Sequence, residues 1–211
     1  MWGQLTAQQQ QTLTRAAFRR RVFRGELLHG SGQECTGLLV VDEGMLRSYI
    51  LSDEGREVTV YRLFPRDICL FSAGCMMRSI QFNLMVEAER DSELWVIPAE
   101  IYKQVMQTSA PLANYTNELM AARFSAVMWL IEQIMWRSMD KRLASFLLEE
   151  SALEGADELH MTHDRIAAHL GTAREVITRM LRYLQGEGMV RLQRGAVTLT
   201  DPKALAQLAA S

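Results

Sequence analysis

The chain has 211 residues, 48% hydrophobic and 23% charged, with a formal net charge of −2. That composition excludes disorder as the main state, because enough apolar surface is present to offset chain entropy. The length allows one or two domains. A faintly acidic chain does not coat nucleic acid indiscriminately, but a sequence reader needs only one basic face.

The opening Met1-Trp2-Gly3-Gln4-Leu5-Thr6 runs into Gln8 to Gln11 with no apolar core after a charged start, so no secretory signal is expected. No apolar run approaches the ~20 residues of a membrane span. The densest, from Val127 to Trp136, is broken by Glu132 and Gln133, and no membrane partner is expected. Cys35, Cys69 and Cys75 form an odd set without a disulfide framework, which reads as reduced thiols in the cytoplasm.

The first half reads as β-structure. Gly37 to Val41, Met45 to Leu51 and Glu57 to Phe64 are short apolar segments parted by the turns Asp42-Glu43-Gly44 and Ser52-Asp53-Glu54-Gly55. Such spacing suggests a small antiparallel sandwich or roll, with a hairpin at Asp53-Glu54-Gly55. Pro65-Arg66-Asp67 makes another turn, and Leu84 to Ala88 and Glu93 to Ile97 read as two more strands.

After Pro98 the period changes to that of helices. A short helix is expected over Ala99 to Gln107 and a long one from Leu112 to about Trp136. Leu112, Tyr115, Leu119, Ala122, Ala126, Trp129, Gln133 and Trp136 recur at alternating steps of three and four, as a helix–helix seam requires. A second apolar row holds Phe124, Met128, Ile131 and Met135. The economical reading is a homodimer along the first row, with Leu119, Ala122, Ala126, Trp129, Gln133 and Trp136 at the interface, and the β-domain packed on the second. Ser138-Met139-Asp140 interrupts the pattern; a hinge is expected at 137–140, with Asp140 capping a helix from Lys141 to about Leu153.

The C-terminal third carries the most specific signal. From Leu159 onward seven cations face four anions, so the acidic excess lies upstream. Thr162 to Leu170 reads as a short helix, Gly171 as a tight turn, and Ala173 to Gln185 as a second helix whose start, Thr172 with Glu175 three residues on, has the pattern of a capping box. At about 100° per residue, Arg174, Glu175, Thr178, Arg179 and Arg182 share one side of this helix. Val176, Ile177, Met180, Leu181 and Leu184 share the other. Met189 to Gln193 and Ala196 to Thr200 make a hairpin across Arg194-Gly195. Helix-turn-helix plus hairpin is a winged DNA-binding domain. Arginine can donate two hydrogen bonds to guanine, and glutamate can accept from cytosine. Arg174, Glu175, Thr178, Arg179 and Arg182 are therefore candidate contacts to double-stranded DNA, with Thr162 and Thr172 at the helix starts and Arg191 and Arg194 near phosphates. Glu175 is expected to cap, to read a base, or to be held by Arg179 when DNA is absent.

The stretch Met161 to Leu181, and the order of segments around it, resembles the Crp–Fnr superfamily of bacterial transcription regulators. Glu175, Thr178 and Arg179 match the family's recognition helix. Arg174 matches the cyclic-AMP branch, whereas the ending Asp201 to Leu208 is Fnr-like. The resemblance implies an α+β chain: an antiparallel, jelly-roll-like β-roll sensor over 1–110, a dimerisation helix over 111–137 and a winged helix-turn-helix over 138–211. It also implies a palindromic operator with TGA-like half-sites and RNA polymerase as a partner.

The sensor departs from the family's known ligand classes. Where the cyclic-nucleotide branch has Gly-Glu this chain has Arg66-Asp67, and the Arg-Ser/Thr slot holds Phe82-Asn83, which offers no fixed cation. Cyclic nucleotide is not expected. No cysteine precedes Cys35, so an iron–sulfur cluster is not expected either. Haem stays open, with His29 the nearest β-domain histidine. Cys69 and Cys75 bracket the segment where relatives bind their effector; they are candidate redox thiols, with Arg66 and Arg78 as nearby charges, or small hydrophobes. No nucleophile elbow, zinc-protease motif or phosphate-cradling loop is present, and no enzymatic activity is expected.

Overall fold

The computed structural model describes residues 2–30, 37–70, 72 and 84–211. The chain forms two compact units. One runs to Leu51 and adds Val60–Met128; the other joins Ser52–Thr59 to Trp129–Ser211.

The first unit opens with helix α1 (Ala7–Ala16), which sequence periodicity did not reveal. Its start is a true capping box: Gln9 N–H donates to Thr6 Oγ1 at 3.2 Å, and Thr6 N–H donates to Gln9 Oε1 at 3.0 Å. Eight strands follow: β1 (Phe18–Val22), β2 (Leu27–His29), β3 (Leu38–Glu43), β4 (Leu46–Leu51), β5 (Glu57–Leu63), β6 (Ile68–Cys69), β7 (Leu84–Ala88) and β8 (Ser92–Ile97). They build two four-stranded sheets, β1-β8-β3-β6 and β2-β7-β4-β5, whose registered pairs are antiparallel. In β7 and β8 every second residue is buried, the period-two pattern of a sheet with one face in a core. Leu39, Leu46, Val86 and Leu94 are fully buried. The β4–β5 turn closes where the sequence indicates it, with Gly55 N–H donating to Ser52 O at 2.9 Å.

Helices α2 (Ala99–Thr108) and α3 (Ala110–Trp136) follow, with only Ser109 between them. Tyr102 Oη lies 2.8 Å from Thr116 Oγ1 and ties α2 to the first turns of α3. Here two expectations fail. Leu112, read as the first seam residue, is fully buried in a cluster with Leu5, Leu13, Tyr102 and Val105. The second row, expected to pack on the β-domain, is instead exposed: Phe124 67%, Met128 48%, Ile131 42% and Met135 64%. A heptad count gains ~20° per repeat on a real α-helix. From Leu112 to Trp136 the nominal seam therefore drifts about 70°, and it ends with Trp129 and Trp136 exposed as well.

The second unit contains the end of α3, then α4 (Met139–Glu154), β9 (Glu158–Leu159), α5 (His163–Leu170), α6 (Arg174–Gly186), β10 (Val190–Gln193), β11 (Ala196–Leu199) and α7 (Pro202–Ala210). Arg137 and Ser138 separate α3 from α4. The N-cap of α4 is Ser138 rather than Asp140, and it makes no side-chain cap bond. Asp140 already lies within the first turn, where a hydrogen bond from Ser138 holds its carboxyl below the usual range. One apolar core joins Leu143, Leu147, Leu159, Ile166, Ile177, Leu181, Leu184, Val197 and Leu205. The small sheet has the order β10-β11-β9. Gly171 ends α5 at φ +68°, and a Cβ there would sit 3.0 Å from Val58. Val58 forms an antiparallel bridge with Leu170, and Thr59 Oγ1 lies 2.9 Å from His169 Nδ1.

Candidate nucleic-acid interface

Helix α6 divides as its sequence demands. Ile177, Leu181 and Leu184 are completely buried. Arg174, Glu175, Arg179 and Arg182 are exposed, and Thr178 is half-buried. Burying a large aliphatic side chain stabilises by roughly 1.5–3 kcal/mol, so these three residues fix the rotation of α6 and hold its polar side outward.

The start of α6 corrects the sequence reading. Its N-cap is Ala173, with no side-chain cap bond, and the Thr172–Glu175 capping box does not form. Thr172 instead helps to close α5, its N–H donating to Ala167 O at 3.1 Å. Glu175 is left exposed in the first turn, where a carboxylate is favoured by the helix dipole. Among the described residues Glu175 makes no ion pair with Arg179; Arg174 pairs with Asp164 instead, Nη1 to Oδ2 at 3.3 Å. Both of those side chains are more than half exposed, so the pair contributes little to stability and is free to exchange for another anion.

Thr162 caps α5, accepting from Arg165 N–H at 3.2 Å. The next residue, His163, was not singled out in the sequence. Its Nδ1 lies 2.8 Å from Thr178 Oγ1 and links α5 directly to the polar side of α6. Burial lowers the His163 pKa; Arg174 and Arg182 push it the same way, while Asp164 opposes them. No periodicity connects positions 163 and 178; only the packing of the two helices does. Arg142 Nη2 donates to Leu170 O at 2.6 Å, satisfying a carbonyl at the end of α5. In the wing, Arg191 and Arg194 are exposed, while Val190, Val197 and Leu199 pin the hairpin to the core.

In the first unit, Cys69 is completely buried, paired across the sheet with Leu39. Tyr61 stands beside it: burial raises the phenol well above its ordinary pKa, and Cys69 adds to the rise. The Arg123 guanidinium lies 4.5 Å from the centre of the Tyr61 ring. Arg66 is exposed in a tight turn at φ +79°, and Asp67 Oδ2 is occupied by the Phe64 N–H at 2.9 Å. Cys35, Cys75, Arg78, Phe82 and Asn83 lie outside the described residues. Among the described residues no three His, Cys, Asp or Glu side chains gather as metal ligands, and no helix is long and apolar enough to cross a membrane.

Residues 19–109 match the cyclic nucleotide-binding domain family, and residues 141–208 match the Crp-like helix-turn-helix domain. The global nitrogen regulator of Synechococcus elongatus is 25% identical over 194 residues, covering 87% of this chain and 86% of that protein. The transcriptional regulator SdrP of Thermus thermophilus is 29% identical over 175 residues, covering 80% and 82%. A crystal structure from Eubacterium rectale, described as a transcriptional regulator of the Crp/Fnr family, is 60% identical, covers 100% of this chain and 97% of that one, and superposes with a TM-score of 0.98. Since the likeness runs the whole length and joins both domains in the same order, this chain belongs to the Crp/Fnr family of transcription regulators.

Proposed function

We propose that the protein acts as a homodimer on a palindromic operator, with the α6 helix of each protomer in successive major grooves ~34 Å apart. The observation that carries this reading is the division of α6, three buried aliphatic residues behind an exposed row of Arg174, Glu175, Arg179 and Arg182. Arg174, Glu175, Thr178 and Arg179 lie in the turns that meet base edges. Arg182, Arg191 and Arg194 are placed for phosphates, with Thr162 and Thr172 at the turns beside them. Dimerisation uses the exposed apolar residues of α3, among them Trp129 and Trp136. RNA polymerase is the downstream partner and the cytoplasm the place of action.

The input enters the β-domain. A small-molecule effector is the better reading than thiol oxidation, because Cys69 has no exposed surface in this conformation and oxidation follows thiolate character and access. Oxidation of Cys69 with Cys75 would first require the residues around Cys69 to open. Cyclic nucleotide is disfavoured, since the Asp67 carboxylate is already engaged in its own turn.

The test is a binding profile on a set of duplexes that vary an inverted repeat with TGA-like half-sites. Arg179→Ala is expected to cost ~1–3 kcal/mol and relax the preference at one G·C pair. Arg194→Ala is expected to weaken all duplexes alike and flatten the salt dependence. Identical profiles for the two variants would refute this division of roles. Absence of any DNA binding would leave a small-molecule-binding module.

A further inference from the structure

His163 is one of four histidines in the chain, and its Nδ1 lies 2.8 Å from Thr178 Oγ1 on the reading helix. The charged groups that bear on it are Asp164 on its own helix and Arg174 and Arg182 on α6, two cations against one anion. The beginning of α5 also disfavours a cation at this position. In the free protein burial, and after it the two arginines, therefore disfavour the imidazolium and lower its pKa from the ordinary value.

DNA opposes the influence of the two arginines. Base-edge acceptors at Arg174 and a phosphate at Arg182 engage the two cations that repel a proton, and the phosphate brings a negative charge to the same face. The hydrogen bond to Thr178 then acquires a direction. A neutral imidazole can either donate or accept at Nδ1, whereas an imidazolium can only donate. Thr178 Oγ1 must then accept from His163, and its own proton is released to donate elsewhere.

We propose that His163 is a proton-coupled positioning residue of the DNA interface: it takes up a proton as phosphate docks, and its imidazolium fixes Thr178 as an outward hydrogen-bond donor to DNA. This rests on the DNA-binding reading of α6. By linkage, affinity is highest below the pKa of the free protein and is lost as pH rises through the higher pKa of the complex. The slope approaches about tenfold per pH unit for each histidine inside that window.

The experiment is fluorescence anisotropy at fixed salt, from about pH 5.5 to 8.5, with a labelled duplex carrying two inverted TGA-like half-sites. The wild type is expected to lose about threefold to tenfold in affinity per pH unit for each histidine. H163Q should lose this slope, and H163R should lose it while keeping the affinity seen at low pH. The control H160Q should keep it. Calorimetry in buffers of different ionisation enthalpy should count proton uptake with wild type and none with H163Q. An unchanged slope in H163Q, or no proton uptake by wild type, overturns the coupling and leaves the DNA reading intact. Failure of every variant to bind the duplex at low salt overturns the DNA reading and the coupling with it.

Discussion

Trp129→Glu tests the assembly most directly. Trp129 is 55% exposed in the single chain. A tryptophan side chain presents about 250 Å² at most, so roughly 140 Å² still faces water in one protomer. At about 25 cal/mol per Å², covering it in a dimer contributes ~3.5 kcal/mol, and two-fold symmetry repeats the contact. Area does not convert fully into affinity; if only half survives, the dimer constant still weakens about 300-fold. The glutamate adds the cost of burying an unpartnered carboxylate. Because Trp129 is exposed in the single chain, the variant should keep its helical content and its fold. Sedimentation velocity across a concentration series reads the dimer constant, and anisotropy compares a full palindrome with a single half-site. The expected outcome is a folded monomer that has lost its preference for the full palindrome. An unchanged dimer constant in Trp129→Glu would refute the reasoning, as would a monomeric variant that binds the full palindrome as tightly as the wild type does.

Two further expectations concern the fold and the thiols. Gly171→Ala meets both a left-handed backbone and Val58 at 3.0 Å, and should lower the stability of the second unit by ~1–3 kcal/mol in urea melts. Cys69 should resist an aromatic disulfide reagent in the native protein and react only on unfolding; Cys69→Ser should leave the oxidant response of DNA binding unchanged, and a native Cys69 that reacts quickly would restore the thiol-sensor reading.

The legible parts of the sequence are those where one short stretch carries its own period. The split of α6 into a buried side and an exposed side was readable as angles, and strands β3, β4, β5, β7 and β8 as apolar runs between turns. The elements that escaped depend on distant partners. β1 carries Arg19, Arg20 and Arg21 with little alternation in burial, and it is a strand because β8 supplies its hydrogen bonds. β6 and β9 are two residues long. Helix α1 is polar, with Leu13 as its single buried residue. The capping pattern shows how local signals mislead. Thr6 with Gln9 forms a real box, whereas Thr172 with Glu175 does not, because the Thr172 N–H is already committed to the end of the preceding helix. The His163–Thr178 link spans fifteen positions and two helices, so only packing reveals it.

The drift of the apolar row along α3 divides one helix between two kinds of equilibrium. Near Leu112 the row lies inside a single molecule, and its contribution to stability does not depend on how many copies are present. Near Trp129 and Trp136 the row lies outside it, and whatever stability it adds obeys mass action. Substitutions along the helix should therefore change character with position. At the beginning they should shift the melting temperature by the same amount in dilute and concentrated samples. At the end they should alter how strongly that temperature depends on concentration. On the proposed dimer, the fraction of protein competent to span an operator would then follow its concentration.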